Sequence, residues 1–309
     1  MTGQAQFVSV VRTTPCVRRS EWVLWAFLAY VAILAAAMPL PPATRLRTIG
    51  LNVTILAVYS LLVSGDTVRP RKPLSIARDW LPLLLTMLAY QEMGWFARPE
   101  VTHSLEGRWV VWDHLILRGG MKAVIESWGP VLPVVLELSY LLVYTLGPFS
   151  LVMLYVYGRR SRVDQLLFLF LLGVLLCYAQ FPFWPSEPPR IVFPTEDLPT
   201  YLTFSRRWNL WLLGVGGIHT SVFPSAHVAG AFSSATGMWL YLPEHKWVAR
   251  LLGVTATLIA VATVYGRYHY VADVVAGLLM TGVAFLIARS LRPVRNPRDS
   301  ASSGVRLES

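Results

Sequence analysis

Three short polar clusters in the sequence contain residue types that bind phosphate and move protons. They occupy residues 185–190, 223–227 and 265–273. A guanidinium presents a planar fork of N–H donors that fits phosphate oxygens, and an imidazole can act as a nucleophile or as a general acid. Because charged groups are costly at membrane depth, their placement beside strongly apolar segments favours a functional site.

The first two clusters supply candidate phosphate ligands. Arg190 is permanently charged and ends the first cluster. Ser225 precedes an apolar run, so it can cap the start of a helix, where free N–H groups attract anions. Each residue also has an ordinary explanation, since Arg190 could anchor a lipid headgroup nonspecifically and a Pro-Ser pair commonly starts a helix. Their expected convergence with the third cluster favours the functional interpretation.

The histidines are the candidate catalytic groups. His269 and Asp273 are four residues apart, so they share one helix face if the segment is helical. A carboxylate in that position can hold an imidazole in one tautomer and stabilise its charged form. One imidazole could then attack phosphorus while His227 protonates the departing oxygen. A lone histidine near a helix end is more often an interfacial polar residue. The prediction therefore depends on the three polar clusters coming together in the fold.

The composition indicates a membrane protein. Hydrophobic residues make up 55% of the chain, charged residues 14%, and the mean hydropathy is +0.51; soluble domains carry about 25% charged residues. Apolar runs long enough to cross a bilayer predict an all-α integral membrane protein of about eight transmembrane helices. The predicted spans are 21–39, 48–64, 80–96, 131–157, 164–184, 222–242, 250–267 and 271–291.

The net charge of +10 has a topological explanation rather than nucleic-acid binding. The basic residues concentrate in short segments between spans, on the side that would hold both termini, which predicts cytoplasmic termini. The three polar clusters then share the extracytoplasmic face. We expect an N-terminal segment with two spans (1–79), a catalytic core (80–292) and a polar cytoplasmic tail (293–309).

Two extracytoplasmic segments are too long to be simple turns. Residues 97–130 mix aromatic and charged side chains, which suits a helix in the membrane interface. Residues 185–221 are rich in Pro, Gly and Trp, which predicts an ordered loop over the mouth of the helix bundle.

Two motifs carry a family resemblance. The Pro-Ser-Ala-His sequence at 224–227 and the His-Tyr-Val-Ala-Asp sequence at 269–273, followed by Gly277, resemble the second and third signatures of the type 2 phosphatidic acid phosphatase superfamily. The resemblance covers roughly residues 130–290 and implies a six-helix catalytic core. It also implies a phosphohistidine intermediate on His269, oriented by Asp273, with His227 as the acid and with no metal or other cofactor.

The sequence departs from the superfamily pattern at its cationic positions. The usual first signature has a Lys before an Arg-Pro, and no such Lys lies near Arg190; the third usually has an Arg where this chain has Thr263. The Pro-Pro-Arg form of the first motif, at residues 188–190, and the missing third-motif Arg resemble the inositol-phosphotransferase branch, which includes inositol phosphorylceramide synthases. We therefore predict Arg190 as the main phosphate ligand and Arg267, two residues before His269, as a second.

Five further residues have two interpretations each. His219 could contact substrate or pack within its loop, and Asp113 and His114 could touch a headgroup or form a solvated face. Glu92 and Glu137 lie within predicted spans, where a carboxyl group could bind a substrate hydroxyl or be hydrogen-bonded for structural reasons. No other His, Cys or carboxylate set has metal-ligand spacing, so we predict no metal site.

The sequence therefore predicts a membrane enzyme that acts on a phospholipid or another lipid phosphate. Water as acceptor would make it a phosphatase, whereas inositol or another alcohol would make it a phosphotransferase. The alternative is a lipid transporter or a non-catalytic lipid-binding membrane protein, which would use the same charged cavity to hold a headgroup without breaking a bond. No nucleic-acid partner is predicted.

Overall fold

The structure, a computed structural model, describes residues 17–96, 102–218, 220 and 222–291. Within these ranges the regular elements are all helical. Besides short 3₁₀ and π turns, they are α1 (Arg19–Ala37), α2 (Pro42–Val68), α3 (Lys72–Met93), α4 (Ser104–Ile116), α5 (Lys122–Glu126), α6 (Val131–Leu141), α7 (Val143–Val156), α8 (Val163–Tyr178), α9 (Pro189–Val192), α10 (Phe204–Gly216), α11 (Ala226–Tyr241), α12 (Lys246–Tyr265) and α13 (Val271–Ser290).

Among the described residues, five helical segments are long and apolar enough to cross a membrane. Two further stretches are ambiguous: Ser104–Glu126 and Val131–Leu141 qualify only as a pair bent by 108°, and Val143–Val156 is a shorter apolar helix. The all-α, multi-pass character is thus confirmed, whereas the predicted count of eight spans is not. The qualifying segments are Arg19–Ala37, Pro42–Val68, Arg160–Phe183, Pro243–Tyr265 and Val271–Ser290.

Each predicted span coincides with helix, and two predicted segments differ in detail. The span 131–157 is divided between α6 and α7 at Leu142. The predicted loop 185–221 contains α10, which Thr203 caps by accepting a hydrogen bond from the N–H of Arg206 at 3.2 Å. An amphipathic pattern of tryptophans and leucines, hidden among the turn-forming residues of this segment, explains the additional helix.

The centre of the bundle is formed by α8 and α11. Their facing surfaces are lined by small residues, so the two backbones approach closely. A Cβ atom on Gly173 would lie 2.3 Å from the Oγ atom of Ser233, so a larger residue here would require Ser233 to move. The core therefore fixes the position of α11, whose first turn carries His227.

A buried ion network attaches α1 and α2 to α3. The Nε atom of Arg78 lies 2.6 Å from Glu21, and its Nη1 atom lies 2.8 Å from Asp66. All three side chains are buried. Next to Arg78 on α3, Asp79 is 2.8 Å from the Nε atom of Arg160, just before α8. Charges paired in this way hold the N-terminal helices against the rest of the bundle.

Candidate active site

The two histidines and the aspartate form one continuous chain of hydrogen-bonding groups. The Nδ1 atom of His227 lies 3.2 Å from the Nε2 atom of His269, and the Nδ1 atom of His269 lies 3.1 Å from Oδ2 of Asp273. His269 and Asp273 are buried. The arrangement joins α11 to the start of α13 through side chains that are 42 residues apart in sequence.

The proton positions in this chain follow from the carboxylate. If Nδ1–H of His269 donates to Asp273, the lone pair of His269 is on Nε2, where it accepts from Nδ1–H of His227. Burial, together with the nearby positive charge of Arg190, lowers the pKa of His269 to about 3. A neutral imidazole with an available Nε2 lone pair is the form required of a nucleophile.

Local backbone contacts hold α11 and α13 in register. The Oγ atom of Ser225 accepts from the N–H of Val228 at 3.4 Å, and the N–H of Ser225 donates to the carbonyl of Asp273 at 3.0 Å. Ser225 is completely buried and is not part of the cavity wall. It therefore lies beside the histidines as a helix cap, and its side chain is not presented to a ligand.

Gly277 allows the first turns of α11 and α13 to approach each other closely. A Cβ atom on Gly277 would lie 2.5 Å from the carbonyl oxygen of Ser225. The first turns of α11 and α13 can therefore touch only because this position lacks a side chain. This contact places His227 within reach of His269.

Arg190 is the cation nearest to the two histidines on the cavity wall. Its N–H donates to the carbonyl of Arg267 at 3.1 Å, and its guanidinium lies 5.5 Å from the ring centre of Tyr268. In the described part of the chain no carboxylate pairs with it, and burial lowers the pKa of Arg190. A partly buried cation without an anionic partner favours binding of an anion from outside the protein.

Both histidines and Arg190 open onto one cavity of about 730 Å³. Arg190 is the one Lys, Arg, Asp or Glu among the described residues that line it. Tyr140 and Tyr268 stack at 4.4 Å beside this polar end, and the Tyr140 ring centre lies 5.3 Å from that of His227. Most of the remaining wall is apolar, so the cavity has one cationic end and one hydrocarbon-like end.

Arg267 and Asp113 lie away from this cavity. Arg267 donates a short hydrogen bond to Asp113, and Asp113 also accepts from the N–H of Val271 at 2.8 Å. Both side chains are completely buried, and neither lines the cavity. The predicted phosphate ligand and the predicted headgroup contact are thus paired with each other, joining α4 to the turn before α13. This geometry does not favour substrate binding by either residue.

His114 belongs to a separate surface cluster. Its Nε2 atom lies 2.9 Å from Glu196 and 3.5 Å from Asp197, while Arg118 binds both carboxylates. These three His, Glu and Asp side chains have the spacing of metal ligands, a cluster absent from the sequence prediction. Because Arg118 already neutralises the carboxylates, the cluster is explained as an ion-paired link between α4 and the loop before α10. His219 lies outside the described residues.

The two intramembrane glutamates have structural partners. The carboxylate of Glu137 accepts from Arg206 at 2.9 Å, from Asn209 at 2.6 Å and from Tyr268 at 2.6 Å. Glu92 accepts from Asn52 at 2.9 Å, between α2 and α3. Neither glutamate lines the cavity. Glu137 therefore holds the Tyr268 side chain in place through a hydrogen bond without itself reaching the cavity.

Tyr140 and Tyr268, the aromatic part of the polar end, were not predicted as site residues from the sequence. Tyr268 could have been predicted, because it lies next to His269 in the third motif. Nothing in the sequence of α6 distinguishes Tyr140 from other membrane tyrosines. Their stacking results from the packing of α6 against α12 and the turn that follows it.

Comparison with known proteins identifies the family. The PAP2 superfamily matches residues 117–287, more than half of the chain and the region that contains Arg190, both histidines and Asp273. A PA-phosphatase related-family protein of Dictyostelium discoideum is 41% identical over 59 residues, which represent 19% of this chain and 10% of that protein. The aligned segment thus spans about a tenth of the relative. No solved structure gives a significant match.

The superfamily predicted from the two motifs is therefore confirmed, whereas the inositol-phosphotransferase branch stays a prediction. This protein, a multi-pass helical chain with two histidines in its cavity, therefore belongs to the PAP2 superfamily.

Proposed function

We propose that this protein is a metal-independent lipid phosphatase or phosphotransferase that works through a phosphohistidine on His269. The observation that carries the proposal is the 3.2 Å approach of His227 to His269 at the cationic end of an otherwise apolar cavity. Arg190 would bind the phosphate oxygens, and the apolar wall would take the hydrocarbon part of the substrate. Asp273 would keep the Nε2 lone pair of His269 directed into the cavity.

The first chemical step forms one bond and breaks another at phosphorus. Nε2 of His269 attacks the phosphorus atom, the bond to the leaving oxygen breaks, and that oxygen takes a proton from His227, which must enter the step as the imidazolium and leaves it neutral. Because attacking and leaving atoms lie roughly in line on opposite sides of phosphorus, the two imidazoles must move apart from 3.2 Å when substrate binds. Arg190 stabilises the charge on the non-bridging oxygens throughout.

The second step decides between hydrolysis and transfer. Water or an alcohol attacks the phosphohistidine, His227 takes the proton from the attacking oxygen, and His269 is released. Water gives inorganic phosphate from a monoester donor and a phosphate monoester from a diester donor, and an alcohol such as inositol gives its own phosphate monoester or phosphodiester, respectively. The Pro-Pro-Arg form of the first motif, which resembles the inositol-phosphotransferase branch, favours transfer. We place this site at the extracytoplasmic face, with both termini cytoplasmic.

Replacement of the nucleophile tests the proposal. In purified full-length protein, His269→Ala should abolish release of phosphate or formation of lipid product from labelled lipid phosphates, because no other group takes the place of Nε2. The wild type, quenched in alkali during turnover, should carry a covalent phosphate label that acid removes, as expected for a phosphoramidate. The matched control is His245→Ala, in the turn before α12 and outside the cavity wall.

Unchanged turnover in the His269→Ala variant would exclude the covalent mechanism. The non-catalytic alternative predicts a different pattern: lipid phosphate would bind to the wild type with a dependence on Arg190, but no bond would be broken and no label would be trapped. Activity that metal chelators abolish would contradict metal independence.

A further inference from the structure

The apolar end of the cavity is formed partly by α3, which lies outside the matched family region. Leu83, Leu84 and Met87 of α3 line the same cavity as Arg190 and His269. The family match begins at residue 117. An N-terminal helix that is not part of the matched catalytic region therefore supplies one wall of the candidate substrate cavity.

This wall is open to the side. Leu84, Met87 and Tyr144 line the cavity and are also exposed at the molecular surface, by 61%, 59% and 45%. Exposed apolar side chains of this size on a membrane protein face hydrocarbon rather than water. Leu84 and Met87 on α3 and Tyr144 on α7 therefore mark the side on which the cavity wall is accessible to lipid.

The length of the cavity fits one leaflet. It follows α3 from Trp80 to Gln91, and eleven residues of helix rise by about 16 Å, roughly half of a hydrocarbon core of about 30 Å. At the Gln91 end the Nε2 atom of Gln91 donates to the carbonyl of Gly216 at 2.6 Å, which joins α3 to α10. A chain anchored by its phosphate at Arg190 could thus extend along α3 within a single leaflet.

We propose that the α3 face around Leu84 and Met87 is the lateral opening for an acyl chain of the substrate and determines which chain lengths are accepted. The proposal deepens the function given above and rests on it. The occupant is a lipid chain because the opening is continuous with the cationic end, and because Arg190 is the one Lys, Arg, Asp or Glu on the described wall. The opening should select substrates by chain length and not by headgroup size, since Arg190 and the histidines, which would contact the headgroup, lie at the other end of the cavity.

The test compares two leucine-to-tryptophan variants on helices outside the matched region. Leu84→Trp places an indole in the opening, whereas Leu61→Trp places one on α2, at a residue that is 73% exposed and does not line the cavity. For a long-chain phosphatidic acid, Leu84→Trp should lower kcat/KM by about tenfold or more, the scale of discrimination expected from an apolar pocket. For the dibutyryl analogue it should change kcat/KM by less than about twofold.

A second measurement does not depend on turnover. A phosphatidic acid with a photoactivatable group near the end of its chain is crosslinked to the full-length protein and the adducts are mapped by mass spectrometry. We expect labels on cavity residues such as Leu84 and Phe170, reduced in the Leu84→Trp variant and unaffected by Leu61→Trp. Labels confined to the outer surfaces of α2 and α13 would overturn the proposal.

The outcomes separate this inference from the proposed function. Equal loss of activity on long and short chains in Leu84→Trp, or equal losses in both tryptophan variants, would refute chain selection by α3 while leaving the catalytic proposal intact. Cavity labelling in a wild-type protein that turns over no lipid phosphate would refute the catalytic proposal and retain the lateral opening.

Discussion

At the scale of single residues, the site combines one cation and two imidazoles in surroundings that favour uncharged groups. Arg190 has no carboxylate partner in the described part of the chain, and its guanidinium lies 5.5 Å from the ring centre of Tyr268. Desolvation makes an unpaired guanidinium unfavourable until an anion arrives. The residue scale therefore explains why a phosphate, rather than a neutral polar group, is the ligand expected here.

Replacement of Arg190 by Lys should separate charge from geometry. Lys keeps the positive charge but loses the planar fork, so we expect kcat/KM for a lipid phosphate to fall by about 10-fold to 100-fold, the equivalent of one lost charge-assisted hydrogen bond. Steady-state kinetics of the purified variant measure the effect. Arg118→Lys, at an exposed surface pair with Asp197, is the control and should leave kcat/KM unchanged. Equal kinetics for wild type and Arg190→Lys would argue against bidentate phosphate binding.

At the scale of elements, the active site depends on how closely the first turns of α11 and α13 approach each other. His227 is on α11, His269 precedes α13, and the N–H of Ser225 donates to the carbonyl of Asp273. Small displacements at this junction would change the distance between the two imidazoles directly. The junction is therefore the element whose packing should affect catalysis most.

Gly277→Ala should disturb that junction. The added Cβ atom would meet the carbonyl oxygen of Ser225 at 2.5 Å, and the backbone must shift to relieve the contact. We expect a loss of about 1–3 kcal/mol in unfolding free energy, typical of overpacking, together with reduced kcat. Thermal unfolding in detergent and a turnover assay measure both effects.

Gly282→Ala on the same helix is the matched control, because a Cβ atom there would meet nothing within 4 Å. It should keep full activity and slightly raise stability, since alanine favours helix more than glycine does. If both variants behaved alike, the close contact of α13 with Ser225 would not be what positions the histidines.

At the scale of the whole molecule, buried ion pairs attach the N-terminal helices to the catalytic region. Arg78 bonds Glu21 on α1 and Asp66 on α2, and Asp79 bonds Arg160 near α8. Paired buried charges add little net stability, but removing one partner leaves the others uncompensated. Because α3 also forms part of the cavity wall, these pairs connect bundle assembly with substrate binding.

Arg78→Met should destabilise the protein by about 3–5 kcal/mol, the cost of leaving buried carboxylates unpaired. Detergent-solubilised protein should show a lower Tm, and the variant should retain turnover at low temperature because Arg78 does not line the cavity. Arg159→Met, which removes an exposed pair with Glu244, should leave Tm unchanged. A Tm for Arg78→Met equal to that of wild type would show that the network is dispensable.

The sequence alone was sufficient for several properties of this protein. Apolar periodicity and low charge predict a helical membrane bundle, because the bilayer requires every backbone polar group to be satisfied within a helix. The spacing of His269 and Asp273 predicts their contact, which is present, but not through a shared helix face: His269 precedes α13, and Asp273 reaches it from the first turn of that helix, where it also accepts from the N–H of Tyr270. The two short motifs predict the superfamily, which the comparison confirms.

Only the tertiary structure decided which charged groups face the cavity. The sequence ranks Arg190 before Arg267 but keeps both as phosphate ligands. In the structure Arg267 is paired with Asp113, from a helix more than a hundred residues earlier, whereas Arg190 has no such partner in the described residues. The α10 helix, the Tyr140–Tyr268 stack and the α3 wall likewise depend on packing between distant segments. Local spacing specifies which side chains lie on one face of a helix, whereas the pairing of faces is settled by long-range burial and neutralisation of charge.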